Sequence, residues 1–514
     1  MPNNVISRLI IIALALLGIG CGGGFGGRTE RPEGSALWVD QNAETLADEA
    51  VEAITNGGVN DFFVPVGKLE PDGLEGVLTR LDPVKLPSQT TLTMVVEGML
   101  PATVDTLGEQ LAEAITQVRF DVEGRGLLPR GLHLDFRSVD SFESLILFLE
   151  ELKGTMDEDL LLSLSIHRDW LIEPQLKAAV KNVDFIVPFL YGQRPNERED
   201  SDAWDFGVIQ DRLAEVEALE VPYVLGIVTL GTATHQDRRT NTNRRTTGQS
   251  LHPFLWERAL KLSNAFSLEG ANRRVYELTA QRPARVGGWD LAQGDVVRII
   301  RPATTDINEL LEIVDGGEYG RCRGYLFYRL PMTAEALSLG VEHIMGALGD
   351  EPVELAVSLD AQVQRRVRGG YLFRFLVTNE NGEVSELSMV DNNFLQVQVV
   401  NGRFGDVKVG DFFRYGLFET KEDGSVEASF RRPDIIRLFV PVLSGRQVVA
   451  SGDVMIRSSS PEMILTGQFL LPDGRVVQAG PYTWKGGELH DNKAEAAAES
   501  NGAEPTEGAA EAGS

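Results

Sequence analysis

The sequence predicts an α/β protein: a (β/α)8 barrel of the TIM type followed by an antiparallel β-sandwich. Three observations predict it. The chain has 514 residues, too many for one small core and enough for two domains. Between residues 36 and 349, eight short β-rich runs alternate with amphipathic helical stretches, a pattern that builds a parallel sheet. From residue 351 the helical texture gives way to alternating strands punctuated by Gly, Asn and Asp. At this length a closed barrel is the economical form of eight parallel strands, with an open doubly wound sheet as the alternative.

The eight runs are ALWVD (36–40), DFFVPV (61–66), TTLTMVVEG (90–98), GLHLDF (131–136), LLLSLSIH (160–167), FIVPFLYG (185–192), YVLGIVTLG (223–231) and GYLFYRL (324–330). Between the fourth and fifth, DSFESLILFLEELK places Phe142, Leu145, Phe148, Leu149 and Leu152 on one helical stripe, with Asp140 and Glu143 spaced as a capping box. After the fifth, EPQLKAAVKN puts Pro174 where a first helical turn tolerates it. Residues 351–486 carry the sandwich strands, with NENG and PDGR as hairpin turns.

Side chains alternate faces along a strand, and the outer face of a barrel lies under helices and is apolar. Leu37, Val39, Leu92, Met94, Val96, Leu132, Leu134, Phe136, Leu162, Leu164 and Ile166 therefore point outward. Trp38, Asp40, Thr93, Val95, Glu97, His133, Asp135, Arg137, Ser163, Ser165 and His167 are left pointing inward. Asp40, Glu97, Asp135, Arg137 and His167 close different strands at the carboxyl end, where barrels build their sites. Tyr191 and Arg194 join them from the loop after the sixth strand. Glu97 and Asp135 are the candidate catalytic pair, since glycoside hydrolysis uses two carboxyl groups. Asp40, Arg137, His167, Tyr191 and Arg194 are candidate substrate-binding groups. Arg137, two residues from Asp135 on the same face, suits Asp135 to the role of nucleophile, base or ligand rather than acid. It also allows a purely structural ion pair, and Trp38 serves equally as a sugar-stacking surface or as barrel core.

Around these elements, the first 21 residues have the shape of a lipoprotein signal peptide. Arg8 precedes an apolar run from Leu9 to Gly20, too short to cross a bilayer, and Cys21 follows it as in a lipobox. Residues 22–35 read as a Gly-rich tether and residues 490–514 as a disordered acidic tail. The expected location is the cell envelope, lipid-anchored through Cys21 and in the outer membrane where the organism has one. Cys322 is the other cysteine, so no CxxC metal or redox pair exists, and neither a metal nor a cofactor is expected. With 76 acidic against 48 basic residues and a net charge of -28, nucleic acid is excluded as a bulk partner. One segment opposes that balance: HQDRRTNTNRRTTGQ (235–249), expected as a loop after the seventh strand, whose Arg238, Arg239, Arg244 and Arg245 would receive an anion or balance local charge.

The segments ALWVDQ, GLHLDFRSVDSFESLILFLEEL, LSLSIHRDWL and VDFIVPFLYGQRP resemble the bacterial domain-of-unknown-function family numbered 3142, over residues 36–235. The resemblance implies a glycoside-hydrolase-like barrel on an exported protein, with Asp135 as the strand-four acid. The family tends to carry a second acid two residues later, where this chain has Arg137. Two expectations follow: a barrel that binds a glycan, with its hydrolysis left open, or a non-catalytic envelope scaffold or binding protein that uses the barrel and the sandwich for recognition.

Overall fold

The computed structural model describes residues 34–39, 58–69, 86, 89–190, 206–237, 242–247, 251–267, 274–317, 319–329, 337–349, 354–381, 383–388, 392–421, 423, 425–471 and 474–491. The expectations for the signal peptide, Cys21, Asp40, Tyr191, Arg194, Arg238, Arg239 and the tail beyond residue 491 lie outside these residues. Two boundaries shift: the first strand already includes Gly34 and Ser35, and the last one reaches Asp491.

Eight parallel strands close into a barrel. They are β1 (Gly34–Trp38), β2 (Val59–Leu69), β3 (Thr91–Leu100), β4 (Leu128–Val139), β5 (Leu161–His167), β6 (Phe185–Phe189), β7 (Tyr223–Val228) and, much later in the chain, β15 (Cys322–Tyr328). β15 closes the ring by pairing with both β1 and β7. All eight sequence runs supply a barrel strand.

The expected parity holds along β3, β4 and β5. Leu92, Met94, Val96, Leu132, Leu134, Phe136, Leu162, Leu164 and Ile166 are buried in the core between barrel and helices. The helix Leu107–Gly124 meets them with Leu111, Ile115, Val118 and Val122, one stripe at helical spacing. The helix Phe142–Thr155 does so with Leu145, Phe148, Leu149 and Leu152. Its cap is Ser141, whose hydroxyl accepts from Ser144 N at 3.1 Å. The expected Asp140 instead accepts from Ala102 N across the barrel end. After β5 the expected helix is only Leu176–Ala179, and Pro174 precedes its cap rather than sitting in its first turn.

The connection from β7 to β15 departs from simple alternation. An antiparallel five-stranded sheet stands there before the helix Thr304–Gly316. Its strands are β8 (Thr232–Asp237), β9 (Thr242–Thr247), β10 (Leu260–Ser267), β11 (Arg274–Ala280) and β14 (Val296–Arg301); β12 (Ala284–Val286) and β13 (Trp289–Leu291) form a separate ribbon. The described parts of the arginine-rich segment expected as a loop are thus two paired antiparallel strands, in which Arg244 and Arg245 stand opposite His235 and Thr234.

From β16 (Val357–Val367) to β25 (Glu488–Asp491) the chain is antiparallel and folds over its own core of Phe373, Phe375, Leu395, Val397, Ile436, Leu438, Met463, Leu465 and Phe469. This is the β-sandwich. The inserted sheet is fastened to it by a buried polar cluster. Arg301 donates to Glu383 Oε1 and to the Val384 carbonyl, both at 3.1 Å. Arg274 and the Tyr276 hydroxyl both reach Glu386, each at 3.0 Å. His343, in the helix Val341–Gly349 that follows β15, holds the other oxygen of Glu383 at 3.0 Å. Burial opposes the ionised Glu383, but the His343 hydrogen bond and the Arg301 charge outweigh it and bring its carboxyl down to about 2.

Candidate functional site

The inside of the barrel is an apolar plug with one polar column. Trp38, Phe63, Val95, Phe185, Val187, Phe189, Val224 and Leu326 form a single cluster, against which Tyr328 packs with partial exposure. Trp38 lies 5.1 Å from Tyr328 and 5.7 Å from His133, edge to face in both cases, and only 1% of it is exposed. Of its two expected roles it fills that of barrel core. Phe189 lies over Gly226 on β7: a Cβ there would meet the ring at 2.4 Å, so the strand needs glycine to admit the aromatic.

His133 anchors the polar column. Its Nδ1 and Nε2 lie 2.9 Å from the hydroxyls of Ser163 and Ser165, respectively. Ser163 in turn donates to the Leu132 carbonyl at 3.3 Å. With that hydroxyl proton committed, Nδ1–H donates to Ser163 and Ser165 donates to Nε2. Full burial, with His167 nearby, lowers the imidazole to about 3, so it is a neutral core group. Deeper in the barrel, Asp61 accepts from Thr93 Oγ1 at 2.8 Å, with Arg130 at 3.8 Å. Burial raises its carboxyl above the ordinary range in spite of Arg130.

Above this plug, at the carboxyl end, the sequence-predicted acids meet. Glu97 and Asp135 stand opposite one another in the β3–β4 register, on the inward face. Asp135 is 18% exposed, and its Oδ1 lies 4.0 Å from His167 Nε2. His167 donates from Nε2 to the Phe136 carbonyl at 3.0 Å, and its ring stands edge-on to Trp170 at 5.6 Å. The imidazole is thereby fixed beside Asp135.

Arg137 does not join them as expected. The β3–β4 register skips it, passing from Gly98↔Phe136 to Met99↔Ser138, so Arg137 is the extra residue of a bulge and is exposed. Among the described residues no ion pair links it to Asp135. A second bulge, at Val66 on β2, brings in a residue the parity argument missed. The register passes from Pro65↔Val95 to Gly67↔Val96, which sets Lys68 opposite Glu97. Without the bulge Lys68 would share the outward face of Val64 and Val66. A run of β-rich sequence ending at Val66 gives no sign of it.

The mouth therefore carries Lys68, Glu97, Asp135 and His167 on successive strands, with Tyr328 at the edge of the aromatic plug. Carboxylates accept hydrogen bonds, an ammonium donates them, and aromatic faces pack against C–H groups, so the arrangement suits a polyhydroxylated ligand. Among the described residues, no group of three His, Cys, Asp or Glu side chains converges to hold a metal ion, and no helix is long and apolar enough to cross a membrane.

No family model and no curated protein matches the chain. Among solved structures it is similar to the spore cortex-lytic enzyme SleL of Bacillus cereus, at 15% identity and a TM-score of 0.42, over 63% of this chain and 76% of that one. It is also similar to a chitinase of Chromobacterium violaceum, at 12% and 0.41 over 63% and 100%. A GH30 endoxylanase of Clostridium papyrosolvens matches at 9% and 0.32 over 84% and 98%.

Proposed function

We propose that the barrel mouth is a glycan-binding site and that the protein is exported and held in the cell envelope through a lipid on Cys21. The observation that carries the glycan reading is the register of Glu97 and Asp135, two inward carboxylates on neighbouring strands above an aromatic plug. Each has a basic neighbour, Lys68 in register with Glu97 and His167 beside Asp135. Such a set grips sugar hydroxyls as donor and acceptor at once. The anchor rests on the sequence alone, on Arg8, the short apolar run and Cys21. Membership of the family numbered 3142 belongs to the same proposal.

Hydrolysis is the second reading. Neighbouring parallel strands lie roughly 4.8 Å apart, so carboxylates in register come within reach of the about 5–5.5 Å used for a retaining reaction. Incubating the protein with neutral and acidic polysaccharides, and measuring both retained polymer and released oligosaccharide by mass spectrometry, separates the readings. Retention lost in Asp135→Asn, with nothing released, is the expected result. Release by the parent that vanishes in the same variant establishes the hydrolase. If the parent retains no glycan and releases none, the glycan reading fails and the envelope-scaffold reading stands.

A further inference from the structure

At the end of the barrel opposite the mouth, a cavity of about 710 Å3 opens between the starts of β1 and β15 and the end of the Thr304–Gly316 helix. Its wall includes Ser35, Asp315, Tyr319, Cys322, Arg323 and Tyr325. The local sequence builds it in two ways. The β7–β15 register passes from Cys322↔Tyr223 to Gly324↔Val224, so Arg323 is the extra residue of a bulge, a device that re-aims a side chain. Gly324 has φ +155 and stands opposite Gly34; a Cβ there would lie 1.8 Å from the Gly34 carbonyl oxygen. Only glycine lets β15 approach β1 closely enough to close the barrel at this point.

Three side chains of the wall are engaged with one another or with the backbone. Asp315 accepts from the Tyr325 hydroxyl at 2.9 Å. Cys322 Sγ donates to the Gly324 carbonyl at 3.5 Å. Arg323 is partly buried, its Nε is fully covered, and it has no hydrogen-bond partner among the described residues. Covering a guanidinium N–H without a partner is costly, and in a chain of net charge -28 protein carboxylates are plentiful. Yet none of the described ones is paired with it. The covered Nε is out of a ligand's reach, and the two terminal nitrogens, unpaired among the described residues and not covered, are the fork that the cavity wall offers to a planar or tetrahedral oxyanion.

We propose that this cavity is a second ligand site, in which Arg323 binds the carboxylate or phosphate of a small anion. It is separate from the mouth and owes nothing to the glycan reading. Equilibrium dialysis of the full chain against labelled inorganic phosphate and, separately, labelled succinate at constant ionic strength tests it and tells the two oxyanions apart. The expected result is saturable binding of at least one of them at one site per chain, weakened tenfold or more in Arg323→Gln and less in Arg323→Lys. Arg285→Gln, at an exposed position on β12, is expected to bind as the parent does. Because Arg323 has no partner to lose, both Arg323 variants are expected to melt with the parent in the absence of ligand. Non-saturable uptake of both anions, or equal affinity in Arg323→Gln and the parent, overturns the proposal.

Discussion

Glu97 on β3 and Asp135 on β4 stand in register, facing the same space above the plugged barrel. If both hold the same ligand, Glu97→Gln and Asp135→Asn each weaken glycan retention by about tenfold, or about 1.4 kcal/mol. The double variant then loses less than the sum, because neighbours sharing a partner are not additive. Measured dissociation constants for the four proteins complete the cycle.

His133 is neutral in the fold and lowered to about 3, whereas an unfolded histidine titrates near 6.5. The unfolded chain therefore takes up a proton that the folded one refuses. The histidine's contribution to stability is intact above pH 6.5 and is lost as pH falls from there toward 3, at up to about 1.4 kcal/mol per pH unit. Urea unfolding between pH 7 and 5 is expected to show a steeper loss in the parent than in His133→Asn.

Asp61 behaves in the opposite sense. Its carboxyl is raised by burial, so the ionised form burdens the fold. The contribution is favourable at low pH and is lost as pH rises through the raised value. Asp61→Asn keeps an acceptor for Thr93 while removing the charge. It is expected to raise the melting temperature at pH 7 by a few degrees and to leave it nearly unchanged at pH 4.

Gly226→Ala would drive a methyl into the Phe189 ring. A loss of about 1–3 kcal/mol is expected, as for other overpacked cores. Phe189→Leu in the same chain should recover part of it, and denaturant titration reads both.

Glu386 couples the inserted sheet to the sandwich through Arg274 and Tyr276, with only 4% of its side chain exposed. Glu386→Gln removes the buried charge that Arg274 and the Tyr276 hydroxyl share at that interface and is expected to cost about 3 kcal/mol. Calorimetry is expected to show one broadened or split transition in place of a single one.

Much of this was legible in the sequence because the barrel strands carry an alternation that helices on one side and a filled interior on the other require. Leu132, His133, Leu134, Asp135 and Phe136 announce their faces by chemistry alone. The bulges at Val66, Arg137 and Arg323 do not, since one extra residue leaves composition untouched while reversing which side of the strand the next residue takes. Lys68 was missed for that reason, and Arg137 was assigned to the wrong partner. The inserted sheet was hidden differently. Arg244 and Arg245 read as loop until pairing places them on a strand, and the sheet's bonds to Glu383 and Glu386 join positions about a hundred residues apart, beyond the reach of any local pattern.

The most direct test of the mouth as the binding site is hydrogen exchange on the full chain with and without a glycan it retains. Protection concentrated at the carboxyl ends of β3, β4 and β5, around Glu97, Asp135 and His167, and absent in Asp135→Asn, is the predicted result. Protection confined to the sandwich or the inserted sheet, with the strand ends unchanged, would contradict it.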